Sequence, residues 1–182
     1  MRICLGILIA ALAWVPLVLP ALADDWTAVR LRGSVLVQDP AGGWVRLQRG
    51  DIVSDARVVR TGATGNVEFQ RGAESIAMGP GSQAEIVDRS GRRYTTVMQQ
   101  SGTVAIAAEA RRVQHCAVET PYLVAVVKGT RFTVATDRHH SRVAVKQGLV
   151  AVTDLIGHRT LMVPAGQAVD VDAAVTAATM AS

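Results

Sequence analysis

The chain of 182 residues carries a formal net charge of +4, and aromatic residues make up only 4% of it. Nucleic-acid binding is not expected, because single-strand binding favours basic residues interleaved with aromatic ones. Of the two cysteines, only Cys116 lies beyond the N-terminal apolar segment, so no intrachain disulfide is expected in the remainder of the chain.

The N-terminus is an apolar segment that ends in Ala-Leu-Ala at Ala23, a small-x-small pattern typical of signal-peptide cleavage. An uncleaved transmembrane anchor is the alternative, because about 20 apolar residues can span a bilayer. Pro16, Pro20 and the Ala-x-Ala ending favour cleavage. We therefore expect a periplasmic or secreted protein without a membrane span after cleavage. Its predicted parts are a signal peptide at 1–23, a β domain at 24–171 and a frayed C-terminal tail at 172–182.

Short alternating apolar runs follow the signal segment. A Gly-x-Val-x-apolar unit occurs four times, beginning at Gly33, Gly65, Gly102 and Gly148, and in each a glycine turn is expected to precede a strand. Turn signals such as Asp39–Gly43 separate further short strands. No window of about a dozen residues shows a capped apolar face with helical period. The predicted fold class is all-β, a single domain of many short strands that is twisted β-solenoid-like or sandwich-like.

The segment Val118–Val134, VETPYLVAVVKGTRFTV, carries the most information about architecture. Thr120 and Pro121 predict a strand edge or corner, because the proline ring forces extended geometry before it and provides no N–H. Gly129 then permits a bend or bulge before alternation resumes at Phe132. Exposed cations beside this break could position an acidic partner segment, and solvated surface charge is the alternative. The candidate interaction residues are Thr120, Pro121, Lys128, Gly129, Thr130, Arg131 and Phe132.

These motifs resemble those of the FecR-domain family. The resemblance is carried by ETPYLVAVVKGTRFTV, by WVRLQRGDIVSDARVVRTG at Trp44–Gly62, and by the later VAVKQGLVAV and PAGQ segments, over Leu31–Val171. It implies a twisted β-solenoid-like fold and a sensing or protein-interaction module without catalytic residues. Several family members regulate sigma factors through a cytoplasmic domain that precedes a transmembrane helix. A signal segment stands at that place here, so direct sigma-factor regulation is not expected.

Residues capable of chemistry are scattered along the sequence. The four histidines lie near no nucleophile-elbow pattern, so we predict no enzyme, no catalytic residue, no cofactor and no metal. Asp137, His139 and His140 are competent metal ligands, but a polar hairpin loop is the favoured interpretation because adjacent strand residues point to opposite faces. Cys116 is expected to be buried and inert, with intermolecular pairing as the alternative.

Two functional hypotheses follow from these observations. The leading one is a module that binds another protein of the cell envelope, for example by adding a strand to a sheet edge. The alternative is a small-ligand or envelope-polymer binding protein that uses Trp26, Trp44 or Tyr122 as stacking platforms and arginines for anionic groups. The position of Trp44 within a strand-like run favours the core for that side chain. An exposed aromatic cluster in a concave pocket would favour the ligand-binding alternative. A bare, flat strand edge would favour the protein-binding hypothesis.

Overall fold

The computed structural model describes residues 25–53, 56–89 and 94–173. The predicted signal peptide and all but the first two residues of the predicted tail lie outside these ranges. The described residues form sixteen strands and no helix, which confirms the all-β class. They accordingly contain no helix with the length and apolarity needed to cross a bilayer.

In chain order the strands are β1 (Trp26–Arg32), β2 (Val35–Gln38), β3 (Trp44–Arg46), β4 (Ile52–Val53), β5 (Arg57–Thr61), β6 (Asn66–Arg71), β7 (Glu74–Met78), β8 (Gln83–Arg89), β9 (Tyr94–Ala107), β10 (Cys116–Glu119), β11 (Leu123–Val127), β12 (Arg131–Thr136), β13 (His140–Gln147), β14 (Leu149–Asp154), β15 (Thr160–Pro164) and β16 (Ala168–Asp172).

The strands belong to one continuous sheet that forms two layers. Layer A has the spatial order β4, β1, β6, β7, the second half of β9, β12, β13 and β16. Layer B has the order β3, β2, β5, β8, the first half of β9, β10, β11, β14 and β15. The chain passes repeatedly from one layer to the other. This winding is the solenoid-like feature of the fold, and the face-to-face packing of the layers is the sandwich-like one.

Strand β9 connects the two layers. Before Gly102 the fully buried side chains Val97 and Gln99 occupy odd positions, whereas after Gly102 the buried side chains Val104 and Ile106 occupy even ones. Gly102 has a φ of 82°, which favours glycine, so a bulge-like change of face can occur there. The Gly-x-Val unit at Gly102 predicted a short strand of its own, and the structure makes it the second half of β9.

The inward-facing side chains of both layers form one hydrophobic core. Phe69 and Phe132 are among its largest buried members, and each fully buried side chain of this kind contributes about 1.5–3 kcal/mol relative to exposure. Trp44 is a correction to the expected core position, because it is 38% exposed. The reason is tertiary: Trp44 lies on the edge strand β3, which among the described strands pairs with β2 alone. The guanidinium of Arg60 lies over its ring, 4.5 Å from the ring centre.

Candidate functional site

The predicted interaction residues lie at opposite ends of β11. Thr120 and Pro121 form the corner that precedes β11, and the residues from Lys128 to Phe132 follow its last residue. A five-residue strand is about 16 Å long, so the two groups do not form one site.

The Thr120 corner has a structural role. The Thr120 hydroxyl accepts the backbone N–H groups of Tyr122, at 3.2 Å, and Leu123, at 3.0 Å, and the Ser141 hydroxyl donates to it at 2.9 Å. The Tyr122 hydroxyl in turn donates to the Arg138 carbonyl. These bonds fix the β10–β11 corner to the β12–β13 hairpin and leave the Thr120 hydroxyl enclosed.

At the other end of β11, Phe132 is buried in the core, whereas Lys128 and Arg131 are exposed. Gly129 is required by a close approach of two backbone segments. A Cβ atom at Gly129 would lie 2.3 Å from the Cα atom of Ala110, far inside van der Waals contact. The segment that contains Ala110 is held there by hydrogen bonds from the Arg111 N–H to the Lys128 carbonyl, at 2.7 Å, and from the Ala108 N–H to the Thr130 carbonyl, at 2.9 Å.

A groove of about 310 Å³ lies where this segment meets the ends of β11, β14 and β15, and we call it the corner groove. Lys128 and Arg111 line it as cations, and Leu149 and Met162 are its large exposed apolar side chains, at 47% and 58% exposure. Its remaining lining residues are Ala110, Gln114, Val126, Gly129, Thr130 and Ala151. Three predicted residues, Lys128, Gly129 and Thr130, therefore share a concave surface with residues that the motif does not include.

Behind the groove, a buried charge network surrounds the Glu74 carboxylate. Arg71 donates to Glu74 at 3.0 Å and to Asp88 at 2.9 Å. The other Glu74 oxygen lies 3.2 Å from an Arg111 guanidinium nitrogen and 2.9 Å from the His115 Nε2 atom. Glu74 and His115 are both buried. Arg111 is thus shared between the interior network and the corner groove, so the network holds one wall of the groove in place.

The network sets the protonation chemistry of its neighbours. Burial by itself would lower the pKa of Arg71, but hydrogen bonds and charges from Glu74 and Asp88 raise it above the ordinary value. Burial, assisted by the negative charge of Glu74, raises the pKa of the Cys116 thiol to about 12. Only the thiolate is a strong nucleophile, so Cys116 is unreactive in the fold. Its buried position agrees with the expectation from sequence.

The histidine-rich segment forms a hairpin turn. The Asp137 carboxylate accepts the backbone N–H groups of His139, at 2.7 Å, and His140, at 3.0 Å. These bonds to the charged form lower the pKa of Asp137 below its ordinary value. Over the part of the chain that the structure describes, no three side chains among His, Cys, Asp and Glu are grouped to hold a metal ion.

The sequence pattern of FecR proteins matches residues 57–151, which are 95 of the 182 residues. The chain belongs to the FecR protein family. The expected family is thereby confirmed. In this FecR protein the matched part extends from the start of β5 into β14, so it contains the buried charge network and every lining residue of the corner groove except Met162. No curated protein matches the chain.

Among solved structures, this FecR protein is similar to the crystal structure of a candidate anti-sigma factor from Parabacteroides distasonis ATCC 8503. The TM-score is 0.56 and the identity is 12%, over 63% of this chain and 54% of the other. The FecR protein therefore spans about half the length of that protein. At this identity the similarity shows a common fold.

The sequence motifs did not indicate Leu149, Met162 and Arg111 as residues of the corner groove. The sequence did contain an indication of Leu149. A strand with one solvated face alternates apolar and polar residues, whereas the runs LVAVV and LVAV are continuously apolar. Val150 and Val152 point into the core, so Leu149 and Ala151 must point outwards. For Arg111 and for Glu74 there was no such signal, because their contact joins distant parts of the chain.

Proposed function

We propose that this FecR protein is an exported, non-catalytic module that acts in sensing or signalling by binding another protein of the cell envelope. Membership of the FecR family supports this function. The similarity to a candidate anti-sigma factor supports the signalling part of this proposal. The signal-like N-terminal segment supports export to the periplasm or beyond.

The non-catalytic part of the proposal rests on the positions of the ionisable groups. Both Glu74 and His115 are buried. The Glu74 carboxylate contacts Arg71 and Arg111, and the His115 Nε2 atom lies 2.9 Å from Glu74, so no substrate atom can approach them. The corner groove and a second hollow, of about 520 Å³ on the outer face of layer A, are lined by no histidine and no cysteine. A histidine base or a thiol nucleophile would have to stand at a cavity to act, and the one carboxylate that lines either of these two cavities, Glu68, is paired with Arg30 at 3.2 Å.

Ligand stacking, the alternative function, has less support from the side chains concerned. Trp26 is buried beneath the Arg71 guanidinium, which lies 4.4 Å from the ring centre. Trp44 lies on an edge strand, and the Tyr122 hydroxyl donates a hydrogen bond to the Arg138 carbonyl. Neither of the two cavities is lined by an aromatic side chain. The concave aromatic cluster that would favour the alternative is therefore missing from both cavities.

Export is tested by measuring the intact mass of the protein recovered from cell-envelope fractions. We expect a chain that begins at Asp24 and is soluble once released from the envelope. A membrane-bound chain that retains Met1–Ala23 would contradict this and support a tethered protein.

Protein binding is tested by immobilising the exported chain, passing cross-linked envelope extract over it and identifying the retained proteins by mass spectrometry. We expect one protein to be enriched in proportion to the amount of folded chain, with heat-denatured chain as the control. Equal retention on both would contradict the interaction function. Reproducible turnover of an envelope substrate by the purified chain would contradict the non-catalytic one.

A further inference from the structure

Outward-facing side chains in the outer half of layer B form an apolar surface that leads into the corner groove. The strand register places Val126, Ala151 and Met162 beside one another across three strands, β11, β14 and β15. Leu149 lies in the next row and is nearly half exposed. Because burying aliphatic surface is favourable, a surface of this composition is typical of a binding site.

Positive charge surrounds the groove. The segments 108–112, 128–131 and 146–149 meet there. The Ala108 and Arg111 N–H groups donate to the Thr130 and Lys128 carbonyls, and a Cβ atom added at Gly148 would lie 2.9 Å from the Gly129 carbonyl oxygen. These segments carry one carboxylate, Glu109, which lies 3.5 Å from Arg111. The three segments also carry exposed cations that form no ion pair within the described residues. These are Arg112, Lys128, Arg131 and Lys146.

We propose that the corner groove binds an extended segment of a protein partner in which aliphatic side chains adjoin Asp or Glu. This inference deepens the proposed function and rests on it. The aliphatic side chains pack against Leu149 and Met162, and the carboxylates face Lys128 and the cations around it. Charge complementarity selects an acidic segment over a basic one, and it speeds association because exposed charges steer the encounter.

Two features set the energetic roles of these groups. Lys128 is exposed at the rim, so its charge contributes mainly to the association rate and is screened by salt. Leu149 and Met162 lose their contact with water when the groove is filled, so they provide the binding energy that salt does not weaken. Binding should therefore become slower in high salt but remain measurable.

The test uses random peptides of about twelve residues, long enough for an extended segment, displayed and selected on the full exported chain. We expect enrichment of peptides that combine Asp or Glu with Leu, Ile or Val. Their affinity should fall by about tenfold or more in Leu149→Ser, since removing a central contact of an interface commonly costs this much. In Lys128→Glu the affinity should fall at low salt, mainly through slower association, because this charge lies at the rim.

Two matched controls carry the same chemical changes outside the groove. Arg32→Glu reverses an exposed charge on layer A, and Leu161→Ser removes an exposed leucine that points to the other face of β15 from Met162. Both should bind the peptides as the unchanged chain does, and all four variants should give the circular dichroism spectrum of the folded protein.

Three outcomes would overturn the inference: no peptide is enriched, the enriched peptides are not acidic and aliphatic, or Lys128→Glu and Leu149→Ser bind as well as the controls. If the chain binds anionic lipid vesicles and no peptide is enriched, the groove binds a membrane surface and not a protein segment. If the chain dimerises and Leu149→Ser abolishes the dimer, the groove binds a second copy of this chain. If envelope protein is still captured in these cases, the proposed function stands and only the groove is excluded as its site.

Discussion

The substitution Gly129→Ala should destabilise the protein by an amount that the local geometry defines. The new Cβ atom would lie 2.3 Å from the Ala110 Cα atom, and ordinary contact begins near 3.4 Å, so the two segments must separate by 3.4 − 2.3 = 1.1 Å. That movement strains two backbone hydrogen bonds, to the carbonyls of Lys128 and Thr130. At about 0.5–1.5 kcal/mol for each bond, the expected loss is about 1–3 kcal/mol. Gly129→Val, with two further methyl groups, should lose more.

The assay is urea unfolding followed by circular dichroism. For a protein of this size the free energy of unfolding falls by about 1–3 kcal/mol per molar urea, so the Gly129→Ala midpoint should fall by about 1 M.

Two glycine variants separate the causes of that loss. Gly79→Ala meets only ordinary contact, 3.6 Å from the Thr103 Cβ atom, and should change stability by less than about 0.5 kcal/mol. Gly81→Ala meets nothing within 4 Å but has a φ of 63°, so it should show only the backbone cost of about 1–2 kcal/mol. A Gly129→Ala midpoint equal to that of Gly79→Ala would refute the argument from close approach.

Three further predictions concern the ionisable groups. Glu74→Ala should lower the free energy of unfolding by about 1–3 kcal/mol in the same assay, because the half-buried Arg71 and Arg111 each lose one of the two carboxylates that they contact, and an unchanged midpoint would contradict a structural role for the network. In a Cys4→Ser background, Cys116 should react with a thiol reagent at pH 8 only after denaturation, since a pKa of about 12 leaves only about one thiolate in ten thousand; rapid reaction of the native protein would be evidence against burial. The carboxyl group of Asp137 should titrate by NMR below its ordinary value of 3.8, and because its pKa is lowered by folding, its contribution to stability is present above the unfolded value and lost as the pH falls through the folded one. When His139 and His140 are replaced by Gly or Ser, the pKa of Asp137 should stay low, because backbone N–H groups and not the imidazoles are the main cause of its lowering.

Part of the candidate site was predictable from local sequence. The break at Gly129 and the exposure of Lys128 follow from a glycine and a charge between two alternating runs. The remaining groove residues could not be derived in this way, because Arg111 and Met162 lie on other segments, and sequence alternation does not say which segments come together. Phe132 was predicted as a candidate interaction residue, but its side chain is buried in the core, where no partner reaches it.

The sequence by itself determined the all-β class, most strand positions and the family, because alternation, glycine turns and short motifs are properties of neighbouring residues. Only the tertiary structure decided how the strands are shared between two layers. Trp44 illustrates the limit: its run has the pattern of a strand, but whether a strand is central or at an edge depends on pairing with distant residues. The same holds for Glu74 and His115, whose contact forms only when β7 and the segment before β10 meet in the folded chain.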